Sequence, residues 1–214
     1  VHDLQEAVVV GVITGVIGGV IIGIPATVAS NSLGAAIDNQ ATCDNPQELT
    51  LLRGDTIQAT GEYLIYPMPD GPFRYPPGQL VDGTRSTAWV AKETDDQGVG
   101  STVTLTLPDE TDVRLICVLN GYAKGADYEM NASVQVVKVV TDRGERDATL
   151  PPLDAANAFT YQPLAFAPGK TRTITLTVLV VDPPAHPDPA EGPVSATMSE
   201  VEVWTSSGGR LPFL

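Results

Sequence analysis

Two hydrophobic patterns divide the chain. The first is unbroken: from Ala7 to Ala29, AVVVGVITGVIGGVIIGIPATVA, no residue is charged. The second alternates. In Ser101–Leu107, STVTLTL, the residues Val103, Leu105 and Leu107 fall on one side and Thr102, Thr104 and Thr106 on the other. Period two is the mark of a half-buried strand. Thr171–Val181 repeats it, with Ile174, Leu176, Val178 and Val180 set against Thr173, Thr175 and Thr177. Val113–Leu119 and Val134–Thr141 are more continuously apolar and read as central strands. Glu48–Leu52, Thr56–Thr60, Ala158–Phe166 and Met198–Thr205 complete the candidates. About eight strands without a convincing soluble helix predict an all-β sandwich or jelly roll. Pro183–Pro193, PPAHPDPAEGP, cannot hold a central strand and reads as a long loop.

The unbroken run has a different destination. At 1.5 Å per residue it reaches about 35 Å, enough to cross a hydrocarbon core of about 30 Å. The reading is one transmembrane helix over 7–29, after a flank at 1–6 and before a small, polar tether at 30–42. The β-sandwich follows over 43–206 and a tail over 207–214. Gly11, Gly15, Gly19 and Gly23 recur every four residues, leaving a groove for helix–helix contact of the GxxxG kind. That pattern predicts homo-oligomer contact through the helix, although glycine is also common in such helices. A cleaved signal peptide is the competing reading, but the run is long and no positive charge precedes it. With no Lys or Arg before the helix and Arg53 the first after it, flanking charge does not set the orientation. The chain opens on Val1 rather than Met, which leaves open a cytoplasmic part upstream.

Charge narrows the partners. The net charge is -14, and removing Asp3 and Glu6 from the 26 acids leaves 24 acids against 12 bases beyond residue 30. Nucleic acid is excluded as a partner, because phosphate recognition needs clustered cations. The two cysteines, Cys43 and Cys117, form neither a zinc set nor a CxxC motif. Either they pair in an oxidising compartment or both are lone thiols.

Three segments resemble one family. They are Leu80-Val-Asp-Gly-Thr-Arg-Ser-Thr-Ala-Trp89, Val118-Leu-Asn-Gly-Tyr-Ala-Lys124 with Asn131, and Met198-Ser-Glu-Val-Glu-Val-Trp204. In that order they resemble the discoidin or coagulation-factor type C jelly roll. The branch most similar is the glycan-binding, translocation domain of streptococcal NAD glycohydrolase. The resemblance covers about residues 43 to 206 and implies a bacterial domain held outside the membrane behind one helix. It also implies carbohydrate or another cell-surface ligand as partner. Where such domains often carry a basic residue after the Asn, this chain has Asn131-Ala132-Ser133. Nothing of the NAD glycohydrolase catalytic domain is present in the sequence.

By the same resemblance, Asp82, Thr87 and Glu200 would bind a structural calcium with backbone carbonyls. The plainer reading is that Asp82 and Thr87 cap turns. Trp89 and Trp204 read as core residues rather than sugar platforms. Ligand contact is expected from loops. Asn120–Asn131 offers Tyr122, Lys124, Asp127 and Tyr128; Pro67–Gln79 offers Phe73, Arg74 and Tyr75. Aromatic faces with a polar rim suit a sugar ring. Catalysis is not expected. The two histidines are His2 and His186, and there is no GxSxG, HExxH or P-loop. The reading is a membrane-anchored binding module; the alternative is a protein-contacting structural or signalling ectodomain whose helix self-associates.

Overall fold

The computed structural model describes residues 41–67, 69, 71–92, 94–125, 127–186 and 194–206. The expected helix at 7–29 with its four glycines, nearly all of the tether, the 207–214 tail and much of the proline-rich loop lie outside the described residues.

The described chain is mostly β. Its strands are β1 (Leu49–Leu51), β2 (Gln58–Gly61), β3 (Ile65–Tyr66), β4 (Phe73–Arg74), β5 (Trp89–Val90), β6 (Thr102–Asn120), β7 (Ala132–Thr141), β8 (Gly144–Thr149), β9 (Gln162–Pro163), β10 (Gly169–Asp182) and β11 (Ala196–Ser206). A single helical turn, α1 (Asp127–Met130), sits between β6 and β7. Four strands form a closed circuit. β6 pairs antiparallel with both β10 and β11, β10 pairs antiparallel with β7, and β7 touches β11 in parallel at Ala132 and Ser133.

The two runs expected as separate strands, 101–107 and 113–119, are one strand, β6. Its first half pairs with β2 and β10, its second with β11 and β9. Between them the β10 register jumps from Thr111 to Thr106. Pro108 has no N–H to give the ladder, so the exposed Pro108–Glu110 arches out and the strand bends without ending. The alternation does what its period requires. Val103, Leu105 and Leu107 are buried against Ile174, Leu176 and Val178, each such burial contributing about 1.5–3 kcal/mol. On the other face, the hydroxyls of Thr102 and Thr177, and of Thr104 and Thr175, meet at 3.2 Å.

Three expectations are corrected. The alternation places Val180 inward with Ile174, Leu176 and Val178, yet it is 40% exposed. The register with β7 shifts between Val178 and Val180, and that bulge turns the side chain out. Ala158–Phe166 is not a full strand: only Gln162 and Pro163 pair, because Asp154 caps a turn by accepting the Ala156 and Asn157 N–H groups. Trp204 is half-buried on the outward side, its indole N–H donating to Glu202 at 3.1 Å.

Trp89 is fully buried, and its indole N–H donates to the Glu62 carbonyl at 3.0 Å. Trp89→Phe is expected to lower stability by about 2 kcal/mol, through the lost hydrogen bond and the gap left by the smaller ring. A shift of the denaturant midpoint at constant slope checks it. Cys43 and Cys117 are joined as a disulfide with a Cα–Cα distance of 5.8 Å. The bond ties the segment before β1 to the C-terminal part of the central strand.

Candidate functional site

The loop after β6 is held from beneath by buried polar groups. Asn120 gives its side-chain N–H to the Val134 carbonyl at 2.8 Å and accepts the N–H groups of Gly121 and Val134. Ser199 on β11 donates to the Gly121 carbonyl and accepts the Ala123 N–H. Gly121 has φ 71°, and a Cβ there would collide with Leu153. The Asn-Gly of the motif is therefore a structural hinge that aims Tyr122 outward.

Tyr75 arrives from a distant segment. Its backbone is fixed between Leu64 and Val90. The Tyr75 and Tyr122 rings meet edge to face with centroids 6.4 Å apart. Lys124 stands 5.8 Å from the Tyr122 ring centre, and Asp127 lies 3.9 Å from its ammonium. Burial is the main cause raising both phenol pKa values, with the facing phenol adding to it at Tyr75 and Asp127 at Tyr122. Both hydroxyls thus stay neutral donors on a surface rimmed by one cation and one anion.

The remaining expected contacts divide. Tyr128 faces Phe159 instead, with centroids 5.7 Å apart, and its hydroxyl donates to Glu129 at 2.7 Å. Phe73 is 58% exposed on β4, opposite Tyr66 of β3. Nothing in the sequence marks Phe159 and Glu129. Phe159 falls inside a segment that reads as strand, and its alternation gives no sign of a loop.

The oxygen-rich turn after Val81 does meet the end of β11. Asp82 accepts the Thr84 N–H at 2.8 Å and the Thr87 hydroxyl at 2.9 Å, as a capped turn should. Glu200 is 4% exposed; one carboxylate oxygen accepts the Gly83 N–H at 3.4 Å and the other has no partner. Burial pushes its pKa up to about 8, opposed by the Gly83 N–H and reinforced by the Asp82 charge. Nearby, burial and the charges of Glu202 and Glu200 push the Tyr161 phenol up to about 12, while Arg85 lies 4.9 Å from its ring centre.

The family model of the NAD glycohydrolase translocation F5/8 type C domain matches residues 56–182. The chain belongs to that family. No curated protein matches its sequence. Among solved structures, an F5/8 type C domain from Bacteroides fragilis aligns at TM-score 0.51 and 13% identity, over 75% of this chain and 98% of its own. The arabinofuranosyltransferase AftD from Mycobacteria aligns at TM-score 0.52 and 20% identity, over 69% of this chain and 10% of that protein. The family 32 carbohydrate-binding module of NanJ from Clostridium perfringens, solved with galactose, aligns at TM-score 0.49 and 15% identity, over 73% of this chain and 98% of its own. For this F5/8 type C domain, the first two likenesses speak to the fold alone.

Proposed function

We propose that the F5/8 type C domain is a non-catalytic carbohydrate-binding module, anchored outside the cell membrane by the 7–29 segment. The observation that carries the binding reading is the Tyr75–Tyr122 pair, assembled from two loops and rimmed by Lys124 and Asp127. Apolar ring faces take the C–H side of a sugar, and the rim supplies donors and acceptors for its hydroxyls. Anchoring is supported by the length of the apolar run, and the external position by the Cys43–Cys117 bond, which persists in oxidising compartments.

By the family resemblance, the turn at Asp82 would take a calcium ion. Among the described residues no three His, Cys, Asp or Glu side chains converge on one point. The donors would be the unpartnered Glu200 oxygen, Asp82, Thr87 and backbone carbonyls. Hard cations accept such an oxygen set, and the ion's role would be to hold the turn against β11.

A glycan array with the full-length chain in detergent tests the reading. Tyr122→Ala is expected to weaken binding to any glycan that scores by about tenfold, from loss of one ring contact. Binding that survives Tyr122→Ala and Tyr75→Ala unchanged would place the ligand elsewhere.

A further inference from the structure

The 120–131 loop carries a second aromatic pair that the Tyr75–Tyr122 site does not use. Phe159 is 46% exposed, with part of its ring on the surface. It is not a floppy tip. Leu153, from the same 151–161 loop, packs against Gly121. Asn157 donates to the Pro152 carbonyl at 2.9 Å, and the Ala158 N–H returns to Asp154. The ring is thus held in place, edge to face with Tyr128 at 77°. Such a contact covers one face of one ring and an edge of the other.

Polar groups rim this pair as well. Glu129 holds the Tyr128 hydroxyl, and its backbone carbonyl accepts the His186 N–H at 2.9 Å. The His186 imidazole stands 3.9 Å from the Glu129 carboxylate. Asp154 is close enough to raise the Tyr128 phenol pKa, behind the larger effect of Glu129. One loop therefore presents two ring pairs: Tyr122 with Tyr75 at its start, and Tyr128 with Phe159 at its end. The six residues from Tyr122 to Tyr128 set an upper limit of about 20 Å between them at full extension.

We infer that Tyr128 and Phe159 form a second subsite, and that the ligand is a neutral oligosaccharide chain spanning both aromatic pairs rather than a single terminal sugar. The inference rests on the carbohydrate reading above and adds to it. The charge argues for a neutral chain. Asp127, Glu129 and Asp154 are acidic, and the one ammonium among them, Lys124, already faces Asp127. A polyuronate would meet like charge along that line.

Calorimetric titration of the full-length chain in detergent decides it. The probes are mono-, di-, tetra- and hexasaccharides of glucose, galactose and N-acetylglucosamine, with a tetragalacturonate as the anionic control. Affinity is expected to rise with length, and Phe159→Ala to weaken tetrasaccharide binding about two- to tenfold while leaving the monosaccharide unchanged. Phe159→Tyr keeps the ring and should keep the length dependence. Because Phe159 is exposed, both variants should melt with the parent. Equal affinity for all lengths, an unchanged tetrasaccharide affinity in Phe159→Ala, or a preference for tetragalacturonate overturns the second subsite and leaves the Tyr75–Tyr122 reading standing. No binding to any probe, with or without Tyr122, overturns both.

Discussion

Cys43→Ser is expected to destabilise the domain by about 4 kcal/mol, because the Cys43–Cys117 bond closes a loop with a sequence separation of 74 residues. Cross-linking so long a loop removes many conformations from the unfolded chain. In a chain of this size the loss corresponds to a melting temperature lower by about 10 °C. Cys43 is the better position to change. Cys117 is fully buried on β6 between Glu202 of β11 and Pro163 of β9, so a hydroxyl there would add a desolvation cost of its own. The measurement is denaturant unfolding of parent and variant, with and without reductant. The parent under reductant should fall to the level of Cys43→Ser, and reductant should leave the variant where it was. Equal midpoints for oxidised and reduced parent would show that the bond constrains little.

The second large effect is a pH dependence at Glu200. Its pKa in the fold is about 8, against an ordinary value of 4.5. Below about pH 4.5 the carboxyl is protonated in both folded and unfolded chains, and no penalty applies. Between 4.5 and about 8 the unfolded chain releases the proton and the folded one keeps it, so stability falls as pH rises. Above about 8 the full cost is present, on the order of 4 kcal/mol from one group. Glu200→Gln keeps the shape without the charge. Subtracting its pH–stability curve from the parent's isolates the contribution against the many other acids. The proposed calcium would give the same site a second signature. An ion at the unpartnered oxygen would displace the proton, so calcium should raise the melting temperature of the chelator-treated protein more at pH 8 than at pH 5. It should do nothing for Glu200→Gln. A parent indifferent to calcium at pH 8 would leave Asp82 and Thr87 as a hydrogen-bonded turn only.

The fold was legible wherever side chains alternate against a buried face. STVTLTL and TRTITLTV became the paired halves of β6 and β10 because each second residue had a core to enter. The pattern could not show that Pro108–Glu110 is an arch inside one strand, since a proline with two acids also marks a chain turn. β8, GERDAT, was invisible: only Ala148 is buried, as befits an edge strand paired on one side with β7. β3, β4 and β5 are two residues each, too short to carry a period.

The site was legible by loop and not by partner. Tyr122, Lys124 and Asp127 lie close in sequence and do converge, and Tyr75 joins them across the fold. Proximity in sequence groups Tyr128 with them, but α1 turns it toward Phe159. A four-residue helical turn in a polar loop has no hydrophobic signature to announce it. Asp82 and Thr87 share one turn, but Glu200 lies on a distant strand, and no local pattern shows that it reaches the Gly83 N–H beside them.

The closed circuit of strands bears on how the domain is made. β11 supplies a partner to β6, to β7 and, through Leu49–Leu51, to the first strand of the sheet. Every one of those pairings joins residues synthesised earlier to the last of the described strands. Until Ala196–Ser206 has emerged, β6 has one side of its second half unpaired, and the core lacks Met198, Val201 and Val203. Contacts of such long sequence separation form slowly. A chain being threaded across a membrane would therefore remain pliable through most of its passage, and would lock into shape only once its final strand had cleared the exit.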